Sequence, residues 1–175
     1  MKKIDWNQIV KEFGPLVWHN AYKFLNSHED ASDCFQSTFL EAVKYSKNKK
    51  INNYGAFLAK IATSKAIDIL RKRKVRISRS IDDEFAEEIV SSERDPAKSM
   101  ESRELADKLR NALADLLPTE AKVFALKHFN NMSYKEIGAL LGIKKSNVGV
   151  ILLRAKEKIV KNMQTENIKR KRGQL

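Results

Sequence analysis

Apolar residues recur every three or four positions along most of the chain, and no stretch alternates regularly between apolar and polar residues. The first spacing is typical of a helix with one buried face, and alternation would indicate a strand. Only six glycines and three prolines interrupt the pattern, so we predict an all-α protein. The helices are expected at residues 6–25, with a bend or break at Gly14-Pro15, and at residues 30–45, 54–74, 97–117, 119–129, 133–141 and 145–161.

The segment from Ser133 to Ile159 has the pattern of a helix-turn-helix. Ser133 and Glu136 have the spacing of a capping box, in which each side chain bonds the backbone amide of the other residue. Gly142 is placed to end the first helix, and Ile143 would be buried in the turn. The second helix of such a motif enters the DNA major groove, and here it carries many cations, which favours duplex DNA binding. The alternative is a helical hairpin that only packs.

Charge is distributed unevenly along the chain, whose net charge is +12. Residues 1–76 carry 15 basic and 7 acidic side chains, residues 77–107 carry 4 and 10, and residues 108–175 carry 15 and 5. Two basic segments flanking an acidic one suggest a polyanion that touches both, and DNA is the simplest candidate. A solvated basic surface is the alternative. We interpret residues 77–97 as an acidic flexible linker and residues 164–175 as a disordered basic tail.

Several other classes of protein are disfavoured by the composition. No run of 18 apolar residues could span a membrane, and the N-terminus becomes polar too early for a signal peptide, so we expect a cytoplasmic protein. The single cysteine, Cys34, excludes an internal disulfide and is interpreted as a small core residue. The three histidines do not suggest a metal site. No phosphate-binding loop, carboxylate pair or catalytic triad is evident, so no catalytic residue, cofactor or enzymatic activity is expected.

Two further surfaces are predicted within the first basic segment. On the helix at 30–45, an acidic face lies opposite the apolar one and favours docking of a protein, with ordinary solvation as the alternative. A loop rich in Asn and Lys then leads to the helix at 54–74, one face of which holds Lys60, Ser64, Ile67, Arg71 and Lys74. Cations beside an aromatic residue, here Tyr54, suit contact with a DNA backbone and stacking on unpaired bases.

Three stretches resemble motifs of the extracytoplasmic-function (ECF) sigma factors of bacterial RNA polymerase. Residues 30–40, DASDCFQSTFL, resemble the motif DA-x-D-x-x-Q-x-TF, and residues 57–62 with 68–73 resemble the helix that follows it in the family. The sequence Leu116-Leu117-Pro118, with Val123-Phe124 and residues 133–138, resembles the C-terminal helix-turn-helix of the family. The resemblance implies two helical domains, residues 1–76 (region 2) and residues 98–163 (region 4), joined by the acidic linker.

The resemblance also implies partners and roles for individual residues. Region 2 would bind the largest subunits of the polymerase core and melt the −10 element of promoter DNA, while region 4 would bind the −35 duplex. The residues expected to dock on the core are Asp33, Gln36, Ser37 and Leu40. Those expected at −10 DNA are Asn48, Asn52, Asn53, Tyr54, Lys60, Ser64 and Arg71. Those expected at −35 DNA are Lys144, Lys145, Ser146, Asn147, Val150, Arg154 and Lys158.

The chain departs from the family pattern at several positions. Ser37 stands where an acid is usual, and Ser64 stands where an Asn is usual. In the recognition helix, Gly149, Val150 and Leu153 lie on the open side, where hydrogen-bond donors would normally read bases. Val150 could contact thymine methyl groups, or −35 DNA could be read weakly and leave the −10 element to dominate. A third interpretation is that the apolar patch binds a protein such as an anti-sigma factor.

Two other functions are compatible with the same sequence. One is a helix-turn-helix transcription regulator that acts without the polymerase core and dimerises on paired half-sites. The other is a sigma-like interaction protein that has lost promoter reading, for which the apolar recognition helix is the support.

Overall fold

The computed structural model describes residues 4–80 and 100–172, and these residues form seven helices and no strand. The all-α prediction is therefore confirmed for this part of the chain. The helices are α1 (Trp6–Leu25), α2 (His28–Ser46), α3 (Tyr54–Ser80), α4 (Met100–Asp115), α5 (Pro118–His128), α6 (Tyr134–Leu141) and α7 (Lys145–Arg172).

The helices differ most from the prediction in α1, α3 and α7, and the other boundaries differ by one to three residues. α1 is continuous through Pro15, so a break there was wrong; Gly14 is buried against the ring of Phe35 on α2, which supports the helix at this point. α3 extends to Ser80, so the first four residues of the predicted linker are helical and the others, 81–97, lie outside the described residues. α7 extends to Arg172, which contradicts the disordered tail over residues 164–172. Because residues 150–172 contain neither glycine nor proline, nothing in the sequence stops this helix.

The N-terminal half is a bundle of α1, α2 and α3. Its core includes Val17 of α1, Phe39 of α2 and Leu58 of α3, and the half-buried rings of Trp6, Phe13 and Phe35 surround it. The bundle therefore holds α2 and α3 side by side, and these two helices carry the predicted protein-docking and −10 residues.

The helix-turn-helix has the capping box and the glycine-ended first helix that its sequence predicts, whereas Ile143 in the turn is half-buried and not buried. The Ser133 hydroxyl accepts from the Glu136 amide at 3.2 Å, and the Glu136 carboxylate accepts from the Ser133 amide at 2.7 Å. Gly142 ends α6 with φ +70°, a left-handed conformation that favours glycine. Gly138 is required for another reason, because a Cβ atom there would lie 2.7 Å from the Ile143 carbonyl oxygen. After this tight turn, α7 packs against α6.

The two halves of the chain share a hydrophobic core. The interior of the C-terminal half alone includes Val123, Leu126, Ile137, Val148 and Leu152. A second cluster joins both halves through α1, α2, α3, α4, α5 and α7, and its largest members are Phe24, Leu25, Ile67, Leu70, Leu113, Leu116 and Ile159. Two domains joined by a linker do not require this contact. The packing determines which predicted surfaces are open.

Candidate protein and nucleic-acid interfaces

The predicted core-docking residues lie together on the outer face of α2. Asp33, Gln36 and Leu40 are exposed, and the Leu40 side chain is 62% exposed, which is unusual for a leucine. Ser37 is half-buried and its hydroxyl donates to the Cys34 carbonyl at 3.1 Å. The result is an open patch with one acid, one amide and one large apolar side chain.

Two other acids of α2 are neutralised by α3. Asp30 forms an ion pair with Arg73, and Glu41 forms one with Lys65 at 2.6 Å. The acidic face predicted from the sequence is therefore smaller in the structure. The carboxylates of Asp30 and Glu41 are in ion pairs with α3, and the Asp33 side chain between them is exposed.

Cys34 behaves as the small core residue that its sequence context suggests. Its side chain is fully buried and its thiol lies 3.5 Å from the Ala62 carbonyl oxygen. Burial raises the pKa of the Cys34 thiol to about 11, so little thiolate is present at neutral pH.

The residues predicted to capture a −10 base lie in the loop between α2 and α3. Asn48, Asn52 and Asn53 are exposed. The Asn53 side chain also accepts from the Ala56 amide at 2.9 Å, so it caps the start of α3. The Tyr54 ring is held by Trp6 and Phe13, at centroid distances of 6.1 and 6.5 Å.

Open cavities lie on both sides of this loop. One, of about 580 Å³, is lined by loop residues 46–51 with Ile4 and Tyr54. The other, of about 500 Å³, lies between the loop and α6, with Lys60 and Phe57 on one wall and Glu136 and Leu140 on the other. Either cavity has room for a nucleobase, and the second is bounded by both halves of the chain.

The predicted −10 residues on α3 are half-buried, and each donates a hydrogen bond within the chain. The Lys60 ammonium donates to the Leu140 carbonyl at 2.9 Å, and the Arg71 guanidinium donates to the carbonyls of Ala114 and Leu116 at 3.3 and 2.6 Å. The Ser64 hydroxyl donates within its own helix, to the Lys60 carbonyl at 3.0 Å. The C-terminal half therefore contacts this face of α3 and covers part of it.

Further basic residues continue the α3 surface beyond Arg71. Lys72, Arg76 and Arg79 line an open groove of about 470 Å³ together with Arg71 and Val75. We did not predict Arg76 and Arg79 as site residues because α3 was expected to end near Lys74. The continuing run of cations in residues 71–79 was the available signal.

The predicted −35 residues form an open surface at the start of α7. Lys144, Lys145, Ser146, Asn147, Val150 and Arg154 are all exposed. Val150 and Leu153 are 50% and 58% exposed, so the apolar character predicted for this face is present in the structure. Opposite them, Val148, Leu152, Ala155 and Ile159 are buried, as the helical periodicity predicted.

Lys158 has a structural partner that the sequence analysis missed. Its ammonium lies 2.7 Å from the carboxylate of Glu120, which is buried at the start of α5 and also accepts from the Leu117 amide. Burial tends to raise the pKa of Glu120, but the hydrogen bonds from Lys158 and Leu117 and the nearby charges lower it overall. Glu120 therefore holds Lys158 against α5, although the Lys158 side chain remains 47% exposed.

Gly149 lies in the recognition helix where a small side chain would fit. A Cβ atom there would lie 3.5 Å from the ring of Tyr134, an ordinary van der Waals distance. Because glycine in a helix interior costs about 0.5–1 kcal/mol relative to alanine, Gly149→Ala should raise the free energy of unfolding by about that amount. Urea unfolding followed by circular dichroism measures this. The matched variant Gly138→Ala should lower the free energy of unfolding instead, because its Cβ atom would meet a backbone carbonyl oxygen. A lower free energy of unfolding in Gly149→Ala would contradict the statement that a methyl group has room beside Tyr134.

The described residues contain no cluster of histidine, cysteine and acidic side chains that could hold a metal ion. Within the same ranges, 4–80 and 100–172, no helix is both long enough and apolar enough to cross a membrane.

Comparison with known proteins identifies the family of the chain. The sigma-70 region 2 family model matches residues 9–76, and the sigma-70 region 4 family model matches residues 106–159. The chain therefore belongs to the sigma-70 family, the sigma factors that direct promoter-specific initiation by bacterial RNA polymerase, and the resemblance to its ECF group is confirmed.

Three particular proteins are similar to the chain in sequence or in fold. The chain is 26% identical over 155 residues to the ECF RNA polymerase sigma factor SigE of Mycolicibacterium smegmatis, and the match covers 89% of this chain and 60% of SigE. It is 26% identical over 165 residues to SigW of Bacillus subtilis, covering 89% of this chain and 87% of SigW. The fold is similar to that of the sigma factor RpoE in its co-crystal structure with the anti-sigma factor NepR from Bartonella quintana. The TM-score is 0.57 and the sequence identity is 20%, and the match covers 91% of this chain and 97% of the RpoE chain.

Proposed function

We propose that this chain is a non-catalytic, promoter-recognising subunit of a cytoplasmic RNA polymerase holoenzyme. Residues 1–76 bind the core and capture the −10 element, and residues 98–163 read the −35 duplex. The observation that carries this assignment is the match of both sigma-70 regions, in order, to the two halves of the fold. The partners are the largest core subunits and promoter DNA.

The open patch on α2 suits docking on the polymerase core. Asp33 and Gln36 offer a charge and an amide for hydrogen bonds, and the exposed Leu40 supplies an apolar contact beside them. A large side chain flanked by polar groups is the usual arrangement of an energetically important contact. The Ser37 hydroxyl donates to a carbonyl of its own helix, so Ser37 adds packing surface to the patch and no charge.

The exposed surface of α7 suits the −35 duplex, and its residues are suited to contact different parts of the DNA. Lys144 and Lys145 at the helix start are placed for phosphates, and Ser146, Asn147 and Arg154 are donors for base edges. Val150 supplies an apolar contact of the kind that thymine methyl groups make. Lys158 acts mainly through Glu120, which fixes α7 on α5.

Arg154→Ala should weaken binding of the −35 duplex by about 1–3 kcal/mol and relax specificity at one base position. The reason is that Arg154 places an exposed guanidinium in the first part of the recognition helix. Fluorescence anisotropy with the holoenzyme and a labelled duplex measures the loss. Lys11→Ala on α1 removes the same charge from an exposed position in the other half and should change affinity much less. Equal losses in the two variants would contradict a base-reading role for Arg154.

Size-exclusion chromatography with purified bacterial core polymerase tests the proposed class of function. We expect the chain to elute with the core, and to bind promoter duplex tightly only in that complex. Tight duplex binding by a dimer of the chain alone, with no affinity for core, would indicate a free-standing regulator instead. Core binding with no promoter dependence would indicate a sigma-like interaction protein.

An anti-sigma factor is a further proposed partner. The Bartonella quintana sigma factor of similar fold was crystallised with one. In this chain, the apolar side chains exposed on α7, Val150 and Leu153, are a candidate contact for such a protein.

A further inference from the structure

A cavity of about 500 Å³ lies between the loop that joins α2 to α3 and the helix α6. The loop and α3 contribute Lys50, Ile51, Phe57 and Lys60 to its walls, and α6 contributes Leu140. Ligand sites in proteins commonly have volumes of about 300–1,000 Å³ and often lie where two domains meet. By its size and its place in the fold, this cavity is therefore a candidate site for a small molecule.

Much of the cavity wall is apolar, and part of it is aromatic. The rings of Tyr45 on α2 and Phe57 on α3 lie 4.6 Å apart between centroids and are tilted by 43°. Ile51 of the loop is buried, while Met132 and Leu140, on the wall from the C-terminal half, are half-buried. Aromatic side chains pack favourably against other rings at centroid distances of about 4.5–7 Å. This wall therefore favours a ligand with a planar aromatic ring.

Two ammonium groups lie on the wall that the loop and α3 form. Lys50 is exposed, and its side chain has no acidic partner among the described residues. Lys60 donates to the Leu140 carbonyl at 2.9 Å, and because an ammonium carries three N–H donors, donors remain for a further acceptor. The Asn52 side chain is exposed on the same wall. A carboxylate, sulfonate or phosphate is the kind of group that accepts most strongly from such donors.

The one acidic side chain that lines the cavity does not neutralise these two lysines. Glu136 is on the α6 wall, and its carboxylate accepts from the Ser133 amide at 2.7 Å in the capping box. Within residues 4–80 and 100–172, no ion pair joins Glu136 to Lys50 or Lys60. Because like charges repel, the anionic group of a ligand is expected beside the lysines and away from Glu136.

We propose that this cavity binds a small aromatic anion, with a planar ring packed beside Tyr45 and Phe57 and a carboxylate, sulfonate or phosphate held by Lys50 and Lys60. The ligand would contact both halves of the chain at once, through Phe57 and the α6 wall. Lys60 and Asn52 are also among the residues proposed for −10 DNA, so the two sites share part of their surface. That overlap rests on the proposed function, whereas binding of the small molecule does not.

Fluorescence titration of the full chain with 1-anilinonaphthalene-8-sulfonate tests the class of ligand. This probe has fused aromatic rings and one sulfonate, and N-phenyl-1-naphthylamine has the same rings without the sulfonate, so the pair separates the contribution of the anion. We expect the sulfonate probe to bind saturably to the folded chain, with a rise in fluorescence. Absence of saturable binding would overturn the proposal.

Removal of one ammonium tests the position of the anionic group. Lys50→Ala should weaken binding of the sulfonate probe by about three- to fivefold, the scale of an exposed ion pair, and leave binding of the uncharged probe unchanged. Lys44→Ala removes the same charge from an exposed position of α2 that does not line the cavity, and it should change neither affinity. Equal weakening of the sulfonate probe by the two variants, or equal weakening of both probes by Lys50→Ala, would overturn the assigned contact.

Filling the cavity tests its location. Ala139 is an exposed residue on the α6 wall, so Ala139→Trp should place an indole ring in the cavity without loss of helical content and abolish binding of both probes. Lys135→Trp places the same ring at an exposed position of α6 outside the cavity and should leave binding intact. Binding that survives Ala139→Trp would place the probes elsewhere on the chain and overturn the proposal.

Displacement of the bound sulfonate probe distinguishes two sources of an aromatic anion. Naphthalene-2-carboxylate represents aromatic acids, and adenosine 5′-monophosphate represents nucleotides. Displacement by either compound supports the proposed class of ligand and identifies the source, whereas displacement by neither would overturn it. All of these measurements use the free chain, so their failure would leave the proposed function intact, and a failure to bind core polymerase would not alter their outcome.

Discussion

Replacing Asp33 and Gln36 together by alanine should lower the affinity of the chain for core polymerase by about 100-fold or more. The few residues that dominate an interface cost about 2 kcal/mol or more each when truncated, and we expect Asp33 and Gln36, exposed polar groups of the α2 patch, to be among them. Neither packs in the core, so the helical content and thermal unfolding should be unchanged. Titration of labelled core with the variant measures the loss.

A matched pair on α1 provides the control for this variant. Gln8 and Glu12 are also an exposed amide and an exposed acid on one helix, but they lie outside the predicted docking patch. Gln8→Ala with Glu12→Ala should bind core as the unchanged chain does. If Asp33→Ala with Gln36→Ala behaved like this control, the assignment of the α2 patch as the docking surface would be wrong.

Leu113→Ala should lower the free energy of unfolding by about 2–5 kcal/mol. Leu113 is 1% exposed and packs in the cluster that joins both halves of the chain, so its truncation leaves a cavity between them. Urea unfolding measures the change. Because both halves share this core, the unfolding midpoint from the fluorescence of Trp6 and Trp18 should fall by the same amount as the midpoint from the circular dichroism of all helices.

The matched variant on the same helix is Leu105→Ala. Leu105 is 57% exposed, and a surface substitution of this kind usually changes stability by no more than about 0.5 kcal/mol. Similar losses for Leu105→Ala and Leu113→Ala, or loss of structure confined to the C-terminal half, would contradict the shared core.

Local features of the fold could be predicted because their causes lie within a few residues. The Ser133–Glu136 capping box, the end of α6 at Gly142 and the buried stripe beginning at Val148 each depend on neighbours within one or two helical turns. Leu105 shows the limit of this reasoning. Its spacing matched the apolar stripe of α4, but the structure leaves Leu105 exposed among the described residues.

Contacts between distant residues could not be predicted from local pattern. The Glu120–Lys158 pair joins residues of α5 and α7, and nothing in either helix identifies the other as its partner. The covering of α3 was missed for the same reason. Ile67 was a signal, because a large apolar residue in the middle of a basic face is more consistent with a buried face than with an open DNA-binding one.

The same difference between local pattern and distant contacts separates the predicted site residues into two groups. Those on α2 and at the start of α7 occupy open surfaces, as helical periodicity suggested for Asp33, Gln36 and Arg154. Lys60 and Arg71 share a face of α3, also as predicted, but the periodicity of one helix does not reveal that another part of the chain covers that face.

Run-off transcription with purified bacterial core polymerase and a library of genomic fragments tests the central claim most directly. We predict that discrete start sites appear only when this chain is added, and that their aligned upstream sequences share one motif near −10 and another near −35. Transcripts that are the same with and without the chain, under conditions in which it is folded, would contradict its function as a sigma factor.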